Sequence, residues 1–278
     1  MKRKLLILGG QGMLGNMLVD YFLESGDCHL FYTTRDKKDP KGLYLDAEDP
    51  ILLDKVIEAV SPDIAVNCMG ILNQYAQANP QQAFWVNGLV PHRIQQSMDR
   101  IGGKLIHIST DCVFSGEEGG HTEFAEPDGT SVYAKSKALG EVKAAPHLTI
   151  RTSIIGPEIR PHGIGLLQWF LQQQGDISGY SQAFWNGVTT LELAKCIRHV
   201  MEEEPLSGLL HVTAPQPINK YELLQLFQFV FQKEDVTIHK DETVKLNRTL
   251  QQTRTDFHYL VPGYDAMLHE LKSWMCSH

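Results

Sequence analysis

The strand-like run Lys4-Leu5-Leu6-Ile7-Leu8 opens directly into Gly9-Gly10-Gln11-Gly12-Met13-Leu14-Gly15, and this junction constrains the chain more than any other stretch of it. Glycines at 9, 12 and 15 sit between a strand and a helical pattern, so the spacing predicts a tight strand-to-helix turn. Such a turn exposes backbone N–H groups, and the helix N-terminus behind it favours negative charge. Gly9, Gly12, Met13, Leu14 and Gly15 are therefore candidates to cradle a diphosphate.

The rhythm that follows fits this reading. Apolar runs at 4–8, 29–34 and 63–68 alternate with helical patterns at 16–24 and 51–60. That alternation predicts right-handed βαβ units and a parallel sheet. A long amphipathic pattern over 81–101 predicts one helix, 104–109 a strand, 133–143 a helix and 147–151 another strand. Residues 116–131 turn to Gly, Glu, Asp, Pro and Thr, a long polar loop of the kind that forms lids or binding loops. Past Gly156 the pattern changes, with an aromatic helix near 166–173. Thr189-Thr190-Leu191-Glu192 reads as a capping box opening a helix to Glu203, and Asn219-Lys220-Tyr221-Glu222 as a weaker one. The expected organisation is a dinucleotide-binding domain over 1–155, rejoined by about 186–214. A smaller substrate-binding lobe takes 156–185 and 215–278.

Several functions are disfavoured by composition. A formal charge of −8 gives no electrostatic reason to bind nucleic acid or an anionic membrane surface. No apolar stretch is long enough to span a bilayer, and the basic start runs too soon into glycines for a signal peptide. Five scattered cysteines without Cys-x-x-Cys spacing argue against a disulfide framework or zinc site, and the expected compartment is the cytoplasm. Twelve histidines show no metal-ligand spacing, so no metal is expected.

The chemistry is carried by Tyr133-Ala-Lys-Ser-Lys137, downstream of Ser109-Thr110-Asp111. Residues four apart on a helix share a face, so the Tyr133 phenol and Lys137 ammonium point into one site. A lysine beside a tyrosine eases phenolate formation, and the proton can move to a carbonyl oxygen as hydride moves at its carbon. Nicotinamide-dependent redox chemistry needs such groups. At the end of the second strand, Tyr32-Thr33-Thr34-Arg35-Asp36-Lys37-Lys38 puts threonines where an NAD site carries an acid, with Arg35 next. A guanidinium there suits a 2′-phosphate and favours NADP(H). A shift of register would instead make Asp36 the ribose partner and admit NAD(H). Asp46, Ala47, Cys68, Met69 and Gly70 lie where later strand ends flank adenine and ribose.

Taken together, the chain resembles the extended short-chain dehydrogenase/reductase family and, within it, the dTDP-4-dehydrorhamnose reductases. The resemblance rests on 9–15, Asn67, Val86-Asn87, the run from Ser109 to Gly116, that from Tyr133 to Glu141, and Arg151-Thr152-Ser153, so it covers the first half better than the second. It implies a Rossmann-like doubly wound α/β sheet with a smaller C-terminal α/β substrate lobe. It also implies an NADPH-dependent oxidoreductase that reduces the 4-keto group of a nucleotide-activated 4-keto-6-deoxy sugar for surface polysaccharide synthesis. By the likeness Thr110 is the catalytic hydroxyl, Tyr133 the general acid, and Lys137 the residue that holds the nicotinamide ribose and lowers the tyrosine pKa. A homodimer is the family's common assembly.

Departures from the family pattern fall where the sugar would bind: Cys112 for a tyrosine, Ile154 for an aromatic residue, and Trp185-Asn186-Gly187-Val188-Thr189-Thr190 for a Gly-x-Pro-Thr run. Cys112 also resembles the cysteine of GDP-fucose synthases, which would make the chain an epimerase-reductase with His162 as partner. Arg248 and Arg254 are candidate cations for the nucleotide diphosphate, and Trp185 a candidate platform for base or sugar. A third reading is a non-catalytic NADP-binding subunit, like the regulatory subunit of methionine adenosyltransferase. The absence of a glutamate after Thr110-Asp111 argues against the dehydratase branch.

Overall fold

The computed structural model describes residues 2–159, 163–203 and 205–278. In chain order its elements are β1 (Lys4–Leu8), α1 (Met13–Ser25), β2 (His29–Thr34), β3 (Leu43–Tyr44), α2 (Pro50–Val60), β4 (Ile64–Asn67), α3 (Asn73–Ala78), α4 (Pro80–Ala83), a π turn (Phe84–Leu89) and α5 (Val90–Ile101). Then come β5 (Lys104–Thr110), a 3₁₀ turn (Asp111–Val113), α6 (Val132–Leu139), β6 (Leu148–Thr152), β7 (Ile154–Ile155), α7 (Leu166–Gln172), β8 (Gly175–Tyr180), β9 (Ala183–Trp185), β10 (Val188–Thr189) and α8 (Thr190–Glu203). The chain closes with β11 (Gly208–His211), β12 (Ile218–Asn219), α9 (Lys220–Phe231), β13 (Val236–Asp241), β14 (Leu246–Asn247) and α10 (Tyr264–Ser277).

The large sheet has the order β11-β6-β5-β4-β1-β2-β3, and every neighbouring pair in it is parallel. β1 is buried on both faces and sorts its side chains by the two-residue period of a strand. Leu5 and Ile7 join the core under α1 and α8, with Leu18, Phe22, Leu193 and Ile197. Leu6 and Leu8 join the core under α2 and α5, with Leu53, Ile57, Ile94 and Met98. A sheet covered by helices on both faces is the doubly wound Rossmann-like arrangement. The order reverses between β1 and β4, which opens a crevice at the strands' C-terminal ends. A second set of strands lies beyond that edge: β12-β9-β14, and the parallel pair β13-β8.

Two helices differ from the sequence pattern. The expected helix over 81–101 widens into the π turn, which turns the buried Asn87 side chain to Ile71 and Ser136. The expected helix over 133–143 stops at Leu139, because Gly140 lies so close to the π turn that a Cβ there would fall 1.9 Å from the Asn87 carbonyl oxygen. The polar loop over 116–131 is tied down. Asn247 N–H donates to the Gly116 carbonyl at 2.7 Å, and the Gly120 and His121 amides donate to the Thr249 carbonyl at 2.8 and 3.0 Å. Among the described residues no helix is long and apolar enough to cross a membrane.

Candidate active site

The glycine turn closes on itself. Gly9 adopts φ +88° and its amide donates to Thr33 Oγ1 at 2.9 Å, so Thr33 at the end of β2 braces the turn. A Cβ at Gly15 would meet the Gly9 carbonyl oxygen at 2.1 Å, so packing alone requires glycine there. Gly12 is different: a Cβ would find nothing nearer than 3.5 Å. Its smallness serves whatever approaches the turn from outside. Gly12 is also the N-cap of α1 and gives no side-chain cap, and the first turn holds no acid. These features fit a diphosphate over Gly9, Gly12, Met13, Leu14 and Gly15.

Beyond the turn, Arg35 is exposed at the end of β2. Asp36 instead accepts the Lys38 amide at 2.8 Å and so caps its own loop. Asp39, which sequence reasoning passed over, reaches back to the turn, accepting from Tyr32 OH at 3.1 Å and from Gln11 Nε2 at 3.5 Å. Asp46 caps the Glu48 amide at 3.0 Å, and the Ala47 carbonyl accepts from Trp85 Nε1 at 3.0 Å. Cys68, Met69 and Gly70 follow β4 across the crevice, with Met69 against Gly9.

Thr110 ends β5 and caps the 3₁₀ turn. Its Oγ1 accepts the Cys112 amide at 3.1 Å and donates to Asp111 Oδ1 at 3.0 Å. Tyr133 sits in the first turn of α6, whose N-cap Ser131 accepts from the Ala134 amide at 3.1 Å. Enclosure of the phenol, with the nearby Cys112 and Asp111 groups, holds its pKa well above the ordinary tyrosine value, and a hydrogen bond with Thr110 opposes the shift. Lys137 lies one turn on, with Nζ donating to the Ile108 carbonyl at 2.7 Å. Burial lowers Lys137 to about 8, opposed by Glu141 and Cys68. The Lys137 ammonium is thus held on β5, and a hydrogen bond with Thr110 draws the Tyr133 phenol down. The three groups gather at the C-terminal half of β5, two strands from β1 and its glycine turn, where a neutral phenol can donate a proton and an ammonium can hold a hydroxyl-bearing ligand.

The residues expected to meet a sugar are sorted differently. Cys112 is pushed up to about 12 by burial and by the Asp111 charge, and Arg248 Nη1 lies 3.5 Å from its sulfur. A thiol so held is a neutral group, not a base. His162, its suggested partner, lies outside the described residues. Trp185 belongs to the core, with its ring 5.6 Å from that of Tyr264. Asn186 is committed to the backbone, donating to the Leu250 carbonyl at 2.7 Å and accepting its amide at 3.0 Å. Ile154 is half-buried in β7, paired with Val188. Arg254 lies at the N-terminal end of β11. Its guanidinium bonds the Ser207 and Leu209 carbonyls at 2.5 and 3.2 Å, by the start of β11, and ion-pairs with Asp256.

Residues 3–252 match the RmlD substrate binding domain family. The chain belongs to that family. Among curated relatives, the dTDP-4-dehydrorhamnose reductase of Mycobacterium tuberculosis is 32% identical over 146 residues, which is 50% of this chain and 44% of the relative. The match thus spans less than half the length of that relative. The methionine adenosyltransferase 2 subunit beta of Danio rerio is 24% identical over 241 residues, 80% of this chain and 72% of the relative. Among solved structures, the dTDP-4-dehydrorhamnose reductase of Bacillus anthracis in complex with NADP superposes with a TM-score of 0.84 at 19% identity, covering 99% of this chain and all of that one.

Within this RmlD-type chain the structure adds groups that the sequence reading did not single out. Asp111 is buried directly behind Thr110; burial raises its pKa, opposed by the Thr110 hydrogen bond and the charges of Lys220 and Arg248. Glu141 and Arg151 form a buried bidentate pair, at 2.6 and 2.7 Å, under the site. Lys220 opens α9. The weak cap signal at Asn219 marked its helix, though not the direction of its side chain. Among the described residues no cluster of His, Cys, Asp and Glu could hold a metal.

Proposed function

We propose that this chain is an NADP(H)-dependent reductase of the 4-keto group of a nucleotide-activated 4-keto-6-deoxy sugar, serving surface polysaccharide synthesis. The observation that carries the reading is the convergence of Thr110, Tyr133 and Lys137 beside a glycine turn whose Gly12 has no packing reason to be glycine. When bound, the nicotinamide supplies a hydride to the carbonyl carbon. The amides of the turn would hold the diphosphate and Arg35 the 2′-phosphate. Asp46 and Ala47 would flank the adenine, Cys68, Met69 and Gly70 the adjoining ribose, and Lys137 the nicotinamide ribose. Tyr133, kept neutral by burial, would give its proton to the carbonyl oxygen, and Thr110 would fix that oxygen's position. Arg248 and Cys112 would line the sugar side. The similarity to dTDP-4-dehydrorhamnose reductases supports this reading. The absence of a basic thiol at Cys112 weighs against the epimerase-reductase.

The proposal includes work in the cytoplasm, supported by five unpaired cysteines. It also includes a homodimer, for which the exposed Leu72, Tyr75, Leu89 and Leu139 on neighbouring helices supply an apolar face; sedimentation equilibrium tests it.

Purified protein is expected to consume NADPH, followed by its absorbance, when given a 4-keto-6-deoxy nucleotide sugar. Arg35→Ala should narrow the preference for NADPH over NADH by about tenfold or more. Binding of NADP without turnover of any such sugar, together with altered activity of a partner enzyme, would favour the regulatory reading that the Danio rerio relative suggests. A pair of variants separates cradle from scaffold. Gly12→Ala should keep wild-type stability and weaken NADPH binding, whereas Gly15→Ala should destabilise the fold by about 1–3 kcal/mol through overpacking. Equal NADPH affinity in Gly12→Ala and wild type, measured by fluorescence titration, would move the cofactor away from this turn.

A further inference from the structure

α9 begins where the second lobe meets the C-terminal edge of the large sheet. β12 runs antiparallel to β9, with Ile218 beside Trp185 and Asn219 beside Phe184, and Asn219 then caps α9 by accepting the Glu222 amide at 2.9 Å. Lys220 is therefore the first residue of the helix. Its Nζ stands 4.7 Å from the centre of the Trp185 ring and makes no hydrogen bond to any described residue. Its charged or ionisable neighbours are Asp111 and Cys112, the two residues after Thr110. Arg248 approaches the same spot from the end of β14. Its Nη2 donates to the Ser115 carbonyl at 3.2 Å, while its buried Nε has no acceptor among the described residues.

Folding alone gives no reason for such a lysine. A helix N-terminus carries positive partial charge, so a cation in the first turn is disfavoured. Enclosing an ammonium costs free energy that hydrogen-bonding partners normally offset, and Lys220 has only an aromatic face and the field of Asp111. A local rule broken without an evident compensation inside the fold points to a ligand. The charges that Lys220 feels are those of Asp111 and Cys112, the two residues that follow Thr110.

We infer that Lys220 anchors the sugar, donating hydrogen bonds to the oxygen on the carbon next to the reacting carbonyl. The inference rests on the reductase reading and narrows its substrate class to sugars that keep an acceptor oxygen at that neighbouring carbon. The anchoring form is the ammonium. Burial lowers Lys220 to about 8, against the opposing effect of Asp111 and Cys112, so the charge is present at neutral pH and is lost as pH rises through that value. Asp111 and Cys112 face it from the 3₁₀ turn, Arg248 acts on both of them, and Trp185 and Tyr264 on its other side bring no charge. Lys137 titrates in the same range but is bound to Ile108 beside Cys68, so its titration belongs to cofactor affinity.

The experiment compares wild type, Lys220→Met and Lys220→Arg. It measures KM for a 4-keto-6-deoxy nucleotide sugar at saturating NADPH across the pH range, and calorimetric Kd for the same sugar nucleotide with NADP⁺ in place. Lys220→Met should raise both by about 10- to 100-fold, the weight of a charge-assisted hydrogen bond, and lower kcat less than kcat/KM. Wild-type sugar affinity should weaken above pH about 8. Lys220→Arg should regain part of the affinity and lose that limb. NADPH affinity should not change, and the melting temperature should hold or rise as a half-buried charge is removed. A Lys220→Met protein with wild-type KM, Kd and pH profile overturns the inference, as does one whose NADPH binding and melting temperature fall along with sugar affinity. Failure of the wild type to bind or turn over any such sugar overturns the reductase reading and this inference together, and shows before any variant is compared.

Discussion

Tyr133→Phe is expected to lower kcat on a 4-keto-6-deoxy nucleotide sugar by about 100- to 10,000-fold, the usual contribution of a positioned general acid, with NADPH affinity unchanged and the melting temperature lowered by no more than about 5 °C for the lost Thr110 hydrogen bond. The substitution removes one oxygen from a ring that stays packed in the first turn of α6, and the Ser131 cap and the Lys137–Ile108 bond do not involve that oxygen. What goes is the proton. Burial and the neighbouring Cys112 and Asp111 groups keep the phenol neutral through the whole physiological range, so it arrives at the ketone as an acid. Ionisation of Tyr133 is therefore not the cause of any fall in rate just above neutral pH. Losses near pH about 8 belong to Lys137 and Lys220, and appear as weakened affinity for cofactor and sugar respectively. Single-turnover kinetics at saturating ligands isolate the chemical step, and a Phe variant as fast as wild type in that step would take Tyr133 off the proton path.

The first half of the fold was legible because its signals are local. A strand, a glycine turn and a helix follow one another within residues 4–25, and both the turn and the four-residue spacing of Tyr133 and Lys137 survive translation into coordinates. Where the reading erred, the deciding contact was distant in sequence. Gly140 ends α6 because the Asn87 carbonyl is there, and Asn87 is there because the helix widens at the π turn.

The proposed sugar side was hardest to read because its candidate residues come from segments that share no periodic pattern. Arg248 and Arg254 are six apart, yet one reaches Cys112 past the C-terminal end of β5 and the other bonds the start of β11, at the opposite end of the parallel strands. Asn186 stands in a run that departs from the family pattern, and its side-chain amide both donates to and accepts from Leu250, 64 residues away. Lys220 carried a faint signal, a cation at the first position of a helix capped by asparagine, where the dipole opposes it. Only the pairing of β12 with β9 places that cation beside the chemistry.

The same kind of long-range contact sets the largest expected loss of stability. Glu141→Ala should destabilise the fold by about 3–5 kcal/mol, the cost of breaking one side of a buried ion pair, and lower the melting temperature by roughly 6–20 °C. Arg151 is fully buried, and its Nε and Nη2 donate to the two Glu141 oxygens at 2.6 and 2.7 Å. Its other neighbours, the Phe114 ring at 5.1 Å and His211 Nε2 at 3.5 Å, cannot neutralise it. Replacing both partners with apolar residues, Glu141→Leu with Arg151→Met, should restore much of the loss, because no charge is then left alone. Activity should not return with it. Glu141 also accepts from Ser109 Oγ at 2.9 Å, so one carboxylate ties the segment after α6, and with it Tyr133 and Lys137, to β6 and to the residue before Thr110. The apolar pair keeps the fold and gives up that alignment, so kcat should stay depressed while Kd for NADPH recovers. Thermal denaturation and steady-state kinetics on the single and double variants check both halves; a Glu141→Ala protein that melts within about 2 °C of wild type would show that the buried arginine finds its counter-charge elsewhere.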